Sequence, residues 1–122
     1  MSNIYIGTDI VSIPRLKKSI TSSVGDKFLN RIFTENEINY CNNKVDSFIH
    51  FAGRFAAKEA ITKALLSSEK IDSINMKSIE IISGKNRKPE VNLIISSELK
   101  FQCKVSISHT DEYAIAFTIL EL

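Results

Sequence analysis

Three side chains in this sequence have the types and spacing to do chemistry. Asp9 closes an apolar opening segment just after Gly7, whose missing side chain lets something approach the backbone. Glu59 and Lys63 are four residues apart in a long helix-forming stretch, Ser47–Ser67, so they are neighbours on one helix face. Phe55 and Leu66 flank Glu59 on that wheel, and a carboxylate beside large apolar groups is not freely solvated. Each has a plainer role available. Asp9 can cap a turn, and Glu59 with Lys63 can be a surface ion pair worth about 0.3–0.5 kcal/mol. Two carboxylates from different elements with a lysine nearby also match what a magnesium–phosphate site needs. Mg²⁺ takes one or two carboxylates and several waters, and a lysine spreads charge on a transferring phosphoryl group. The phosphate loop G-x-x-x-x-G-K-[ST] is absent. His109, at a strand end beside Thr110-Asp111-Glu112, can be a core residue, an acid/base or a phosphate contact. His50 has no evident partner and reads as structural or superficial.

These residues require elements to position them. Residues 3–9 alternate as a strand, ending in Asp9. Ser12 caps a helix over 13–22 with Pro14 in its first turn. A short helix follows near 26–32, and Thr34 and Glu37 form a T-x-x-E capping box that opens another of about two turns. The long helix 47–67 turns Ala57, Ala60, Ile61, Ala64 and Leu65 to one face, short enough for close approach to a sheet. Strands follow around 79–81 and 91–95, with residues 83–89 as a loop. Ser96 or Ser97 caps a short helix through Cys103. Val105, Ile107 and His109 share the inward face of a strand, and Tyr113, Ile115, Phe117 and Ile119 share a face of the next that reads as core. The short connection between them predicts a hairpin. The order is strand, helices, then mostly strands, an α+β class with one domain over residues 1–122.

Composition sets the outer limits. The chain has 122 residues, 43% hydrophobic and 25% charged, sufficient for a core without disulfides or a structural metal. Cys41 and Cys103 stand far apart and outside any zinc or redox motif, so a reduced pair is expected. No apolar run suits a membrane span, and the opening MSNIYIGTDI lacks signal-peptide features, so the expectation is a cytoplasmic protein with no membrane partner. Net charge is only +2, which excludes nucleic acid as an evident partner, yet residues 1–31 carry Arg15, Lys17, Lys18, Lys27 and Arg31 against Asp9 and Asp26. That imbalance suits an acidic protein docked by charge, or a solvated helix face.

Three segments in order resemble a known family. They are Ile6-Gly7-Thr8-Asp9-Ile10; Phe51-Ala52-Gly53-Arg54-Phe55-Ala56-Ala57-Lys58-Glu59-Ala60 with Lys63-Ala64-Leu65; and Val105-Ser106-Ile107-Ser108-His109-Thr110. Their spacing is similar to that of the holo-[acyl-carrier-protein] synthases, the small bacterial 4′-phosphopantetheinyl transferases, and it spans essentially the whole chain. The resemblance implies transfer of 4′-phosphopantetheine from coenzyme A to a serine of apo acyl carrier protein, in support of fatty acid biosynthesis, on a fold with a long central helix against a mainly antiparallel sheet. It implies Mg²⁺, or Mn²⁺, on Asp9 and Glu59, with Lys63 facing the same phosphates. Arg54, His109 and Thr110 then match positions near the nucleotide and its 3′-phosphate, and Lys88 and Pro89 a loop at the same ligand. Arg15, with Lys18, matches the basic helix that grips the carrier protein. The base is Glu59 or a metal-held water oriented by Asp9, and the residues do not choose. The family's trimers, with active sites between subunits, carry over as an expectation. One departure is Arg87, where the family has glycine before Lys88 and Pro89; the arginine must turn outward or shift the backbone. A docking module without catalysis would explain the basic helix but not Asp9, Glu59 and Lys63. An RNA-binding domain would need exposed aromatics and a basic strip on a sheet.

Overall fold

The computed structural model of the chain describes residues 3–95 and 100–122. A nine-residue strand, β1 (Ile4–Ser12), leads into α1 (Ile13–Thr21), and Ser12 Oγ accepts the Arg15 backbone N–H at the helix start. α2 (Gly25–Ile32) and α3 (Glu35–Asn42) are each two turns long, and α4 (Ser47–Ser67) is the long helix. The strands β2 (Ile79–Ser83), β3 (Pro89–Leu93), β4 (Gln102–His109) and β5 (Tyr113–Glu121) complete the α+β order. β1, β5 and β4 form one antiparallel sheet with β5 in the middle, and β2 and β3 form a separate antiparallel pair. No helix among the described residues is long and apolar enough to cross a membrane.

α4 crosses β1 and β5, and small residues set how closely. Ala57, Ala60 and Ala64 are fully buried against Ala114 and Ala116 of β5. At the β1 crossing a side chain on Gly7 would place its Cβ 1.9 Å from the Ala60 carbonyl oxygen, so only glycine fits. This contact holds the backbone on either side of Gly7 against the middle of α4. The capping box at α3 forms as expected: Thr34 Oγ1 accepts the Glu37 N–H and Glu37 Oε1 accepts the Thr34 N–H. Glu37 also does what the motif alone does not reveal. It is fully buried, pairs with the fully buried Lys58 of α4, and its Oε2 accepts the Ile81 N–H of β2. One carboxylate therefore joins α3, α4 and β2.

Four expectations need correction. β1 does not end at Asp9 but continues to Ser12, because β5 pairs with it throughout; Asp9 lies mid-strand opposite Ala116. Tyr113, Ile115, Phe117 and Ile119 do not face the core. The alternating Ala114, Ala116, Thr118 and Leu120 do, since an alanine-rich helix requires a shallow sheet face, and the bulky set is turned outward. There Ile6 opposes Ile119, Thr8 opposes Phe117 and Ile10 opposes Ile115, and Ile6 is 62% and Ile10 63% exposed. The helix expected through Cys103 is not formed there: β4 starts at Gln102, with Cys103 paired to Leu120. Its proposed caps, Ser96 and Ser97, lie outside the described residues. The loop after β2 is shorter than expected, with Pro89 already opening β3.

Candidate active site

Because Gly7 brings β1 onto α4, Asp9 lies beside the helix turn that carries Glu59 and Lys63. The Lys63 ammonium donates to Asp9 Oδ1 and to the Thr8 carbonyl, each at 3.0 Å. Lys63 thus pairs with Asp9 and not with Glu59, against the simple i, i+4 expectation. Glu59 remains the unneutralised carboxylate. Partial burial, then the neighbouring Asp9 charge, raise its pKa above the ordinary value, and Lys63 offsets them in part. Asp9 also lines an open groove with Arg15, Leu16, Phe28 and Phe55, so the basic α1 position and the carboxylate share one depression. Lys18 is exposed on the same short helix.

The donor set suits a hard divalent cation. Two carboxylates supply oxygen ligands, their mutual repulsion is already visible in Glu59, and the Lys63 ammonium on Asp9 marks where positive charge is stable. No cluster of three or more metal-ligating side chains occurs among the described residues. Two protein ligands are what Mg²⁺ accepts when substrate phosphate and water complete its shell.

Arg54 sits elsewhere on α4. The residue is 6% exposed, its guanidinium lies 3.8 Å over the Tyr40 ring, and its Nε has no hydrogen-bond partner among the described residues. The guanidinium borders a cavity of about 440 Å³ lined also by Tyr40, His50, Ser83, Arg87, Lys88 and Pro89, with Val105, Ser106 and Ile107 from β4. No carboxylate among the described residues lines it. Burial pushes the Tyr40 phenol up, but the Ser83 side chain and the Arg54 and Lys44 charges outweigh it, and the net shift is downward. Burial lowers His50, and the charges of Arg54, Lys44 and His109 lower it further. His109 keeps the strand face of Val105 and Ile107, opposite the buried Ala114, but lies exposed because β4 ends there. The next residue, Thr110, accepts the Glu112 and Tyr113 N–H groups through Oγ1 and closes the β4–β5 turn.

The sequence-derived residues therefore form two groups. Asp9 and Arg15 line one groove, with Lys63 paired to Asp9 and Glu59 beside that pair, and Arg54, Lys88 and Pro89 line a cavity that shares no lining residue with the groove. Tyr40 and His50 were missed as cavity residues. Tyr40 lies in α3, eleven positions past Leu29 and fourteen before Arg54, and only the packing of α3 on α4 brings it over the guanidinium. His50 precedes Arg54 by one helical turn, a spacing that did carry the signal. Arg87 is exposed, keeps a left-handed backbone, φ 61°, and is among the residues that line the open cavity. Cys41 is buried and free, its thiol pushed up to about 12 chiefly by burial, and Cys103 is free and half-buried.

Known proteins share the sequence and the fold of this chain. The 4′-phosphopantetheinyl transferase superfamily model matches residues 5–118. The holo-[acyl-carrier-protein] synthase of Chlamydia pneumoniae is 44% identical, covering 98% of this chain and 98% of its own. That of Thermodesulfovibrio yellowstonii is 41% identical over 94% of this chain and 96% of its own. Among solved structures, the Bacillus anthracis synthase in complex with CoA (3′,5′-ADP) superposes with a TM-score of 0.76 at 35% identity, covering 96% of this chain and 95% of that one. The Helicobacter pylori synthase in complex with coenzyme A gives 0.76 at 34%, covering 93% and 96%. With a family match over nearly its full length and a fold shared with solved members, the chain belongs to the 4′-phosphopantetheinyl transferase superfamily, as an enzyme of its holo-[acyl-carrier-protein] synthase family.

Proposed function

We propose that this chain moves 4′-phosphopantetheine from coenzyme A to a serine hydroxyl of an apo acyl carrier protein, with Mg²⁺ or Mn²⁺ held by Asp9 and Glu59, in the cytoplasm and in support of fatty acid biosynthesis. The observation that carries the reading is the pairing of two carboxylates and a lysine, Asp9, Glu59 and Lys63, with a separate cationic cavity of Arg54, Arg87 and Lys88 that no carboxylate among the described residues lines. Coenzyme A has a reacting pyrophosphate and, at its far end, a nucleotide with a 3′-phosphate. The first needs a metal and a lysine, and the second needs fixed cations. The Bacillus anthracis and Helicobacter pylori relatives are described with coenzyme A or its nucleotide bound.

In the reaction the serine oxygen bonds to the β-phosphorus while the bridging P–O bond breaks, and adenosine 3′,5′-bisphosphate leaves with the electron pair. When bound, the divalent cation supplies charge neutralisation at the pyrophosphate. Lys63 is positioned to spread charge on the same group once it releases Asp9. The serine proton passes to Glu59 or to a metal-held water oriented by Asp9. Arg54, Lys88 and Pro89, with His109 and Thr110, hold the nucleotide end and align the phosphorus for attack. Arg15 and Lys18 offer positive charge to an acidic carrier beside the groove of Asp9.

The outward apolar face of the sheet supports assembly. Ile6, Ile10, Ile115, Phe117 and Ile119 make a continuous surface of the kind that marks an interface. Arg54 and Glu59 are five residues apart, about 140° around α4, and so face different ways. A homotrimer in which one chain's groove meets a neighbour's cavity reconciles that divergence with a single extended substrate. The test of the activity is to incubate the protein with coenzyme A, Mg²⁺ and apo carrier protein and weigh the carrier. A gain of one phosphopantetheinyl group supports the reading, and an unmodified carrier rejects it.

A further inference from the structure

The turn joining β2 to β3 has an unusual backbone. Asn86 and Arg87 both have positive φ, 59° and 61°. Asparagine tolerates this region, but for an arginine it is strained. The turn is nonetheless well closed: Gly84 N donates to Lys88 O at 2.8 Å, and Arg87 N and Lys88 N donate back to Gly84 O and Lys85 O. A glycine at 87 would make the same turn without strain. What arginine adds is a third permanent cation on the wall of the Arg54 cavity, beside Lys88. Among the described residues Arg87 has no ion pair and no carboxylate lines the cavity. Across the cavity the buried Arg54 also keeps an unpartnered Nε.

We propose that Arg87 is a specificity-determining residue that selects a terminal phosphate dianion on the nucleotide end of the substrate. This rests on the reading that the cavity takes that end of coenzyme A. A guanidinium presents paired N–H donors to phosphate oxygens, and three cations without a counter-ion favour a dianion over a monoester-free ribose.

The experiment compares kcat/KM for coenzyme A and for 3′-dephospho-coenzyme A in the wild type, Arg87→Gly and Arg87→Lys, with apo carrier protein and Mg²⁺ present. Wild type should prefer coenzyme A. Arg87→Gly should cut that preference by about tenfold, the worth of one charge-assisted contact, with no fall in melting temperature because the turn is relaxed. Arg87→Lys should restore part of the preference. Adenosine 3′,5′-bisphosphate should bind the wild type more tightly than Arg87→Gly, while adenosine 5′-monophosphate should bind both alike. A preference unchanged by Arg87→Gly overturns the proposal and leaves the reading of the cavity intact. A wild type that does not distinguish the two substrates overturns both. A variant that melts well below wild type and loses both substrates equally makes Arg87 a structural residue, and also overturns it.

Discussion

Lys63 reaches from α4 to β1 and donates to Asp9 Oδ1 at 3.0 Å, leaving Glu59, one helical turn before it, without a cationic partner. Two adjacent carboxylates are thereby made unequal. Asp9 is neutralised by an ammonium that is itself 55% exposed and free to move, while Glu59 is held partly buried beside a like charge. In the proposed reading Asp9 and Glu59 would hold the divalent cation, and Lys63 would offer its charge to substrate phosphate.

The unequal pair gives a pH-dependent stability. The folded pKa of Glu59 lies above its ordinary value, so the folded state binds this proton more tightly than the unfolded chain. Its favourable share is therefore fully present below the ordinary carboxylate range and is lost as pH rises through the raised value. Glu59→Gln should be more stable than wild type at pH 7 in metal-free buffer, and the gap should close as pH falls below the ordinary carboxylate range. Urea unfolding across that pH series measures it, and a gap that is constant or reversed contradicts the burial argument. The same variant should lose transfer by about a hundredfold or more, the usual effect of removing a general base.

Gly7 offers a test of what positions the site. A Cβ there would meet the Ala60 carbonyl at 1.9 Å, a backbone atom that cannot swing aside. Gly7→Ala should destabilise the fold by about 1–3 kcal/mol through overpacking. It should also push β1 away from α4 and weaken the Lys63–Asp9 pair, so transfer falls at temperatures where the variant remains folded. Full activity in a folded Gly7→Ala protein would show that the close crossing is not what sets the site.

That crossing also explains what could be read from the sequence. The caps at Ser12 and Thr34, the span of α4 and its alanine face depend on neighbours within a few residues, and local spacing records them. Asp9, Glu59 and Lys63 were legible because their types are unusual beside their apolar neighbours. The outward turn of Phe117 was not read, because alternation defines two faces of β5 without saying which one meets α4. The alanines carried the missing signal: a helix face of Ala57, Ala60 and Ala64 needs the sheet face of Ala114 and Ala116. The second role of Glu37, 21 residues before Lys58, had no local signature, since its capping box already accounted for the residue.

The Glu37–Lys58 pair predicts a sharp asymmetry between single and double replacement. Both side chains are fully buried, and Glu37 also holds the Thr34 and Ile81 N–H groups. Lys58→Met strands a buried carboxylate and should cost about 3–5 kcal/mol. Adding Glu37→Gln to that variant removes the stranded charge while keeping acceptor capacity, and should recover part of the loss. Thermal unfolding of the three variants checks this, and additive losses would show that the two residues do not act as a pair.

Docking of the carrier can be separated from coenzyme A binding at α1. Arg15 borders the Asp9 groove, whereas the Arg54 cavity, proposed for the nucleotide, shares no lining residue with it. Arg15→Ala should raise the KM for the carrier several-fold at low salt and leave the KM for coenzyme A nearly unchanged. The effect should shrink as salt screens the charges. Equal changes in both constants would place Arg15 at coenzyme A instead.

The divergence of Glu59 and Arg54 on α4 leads to a complementation test. If an active site joins one chain's groove to a neighbour's cavity, a Glu59→Gln chain and an Arg54→Ala chain are each defective in a different half. Neither should transfer the group well alone. Dissociated, mixed in equal amounts and reassembled, they should regain about a quarter of the wild-type sites, those where an intact groove meets an intact cavity. Placing Phe117→Glu in both chains puts a charge into the outward apolar face and should abolish both the rescue and the trimer seen by light scattering. No rescue from a mixture that does form trimers would mean that each chain serves its own substrate. The 140° between the two residues would then have to be bridged by coenzyme A wrapping around α4 of a single subunit.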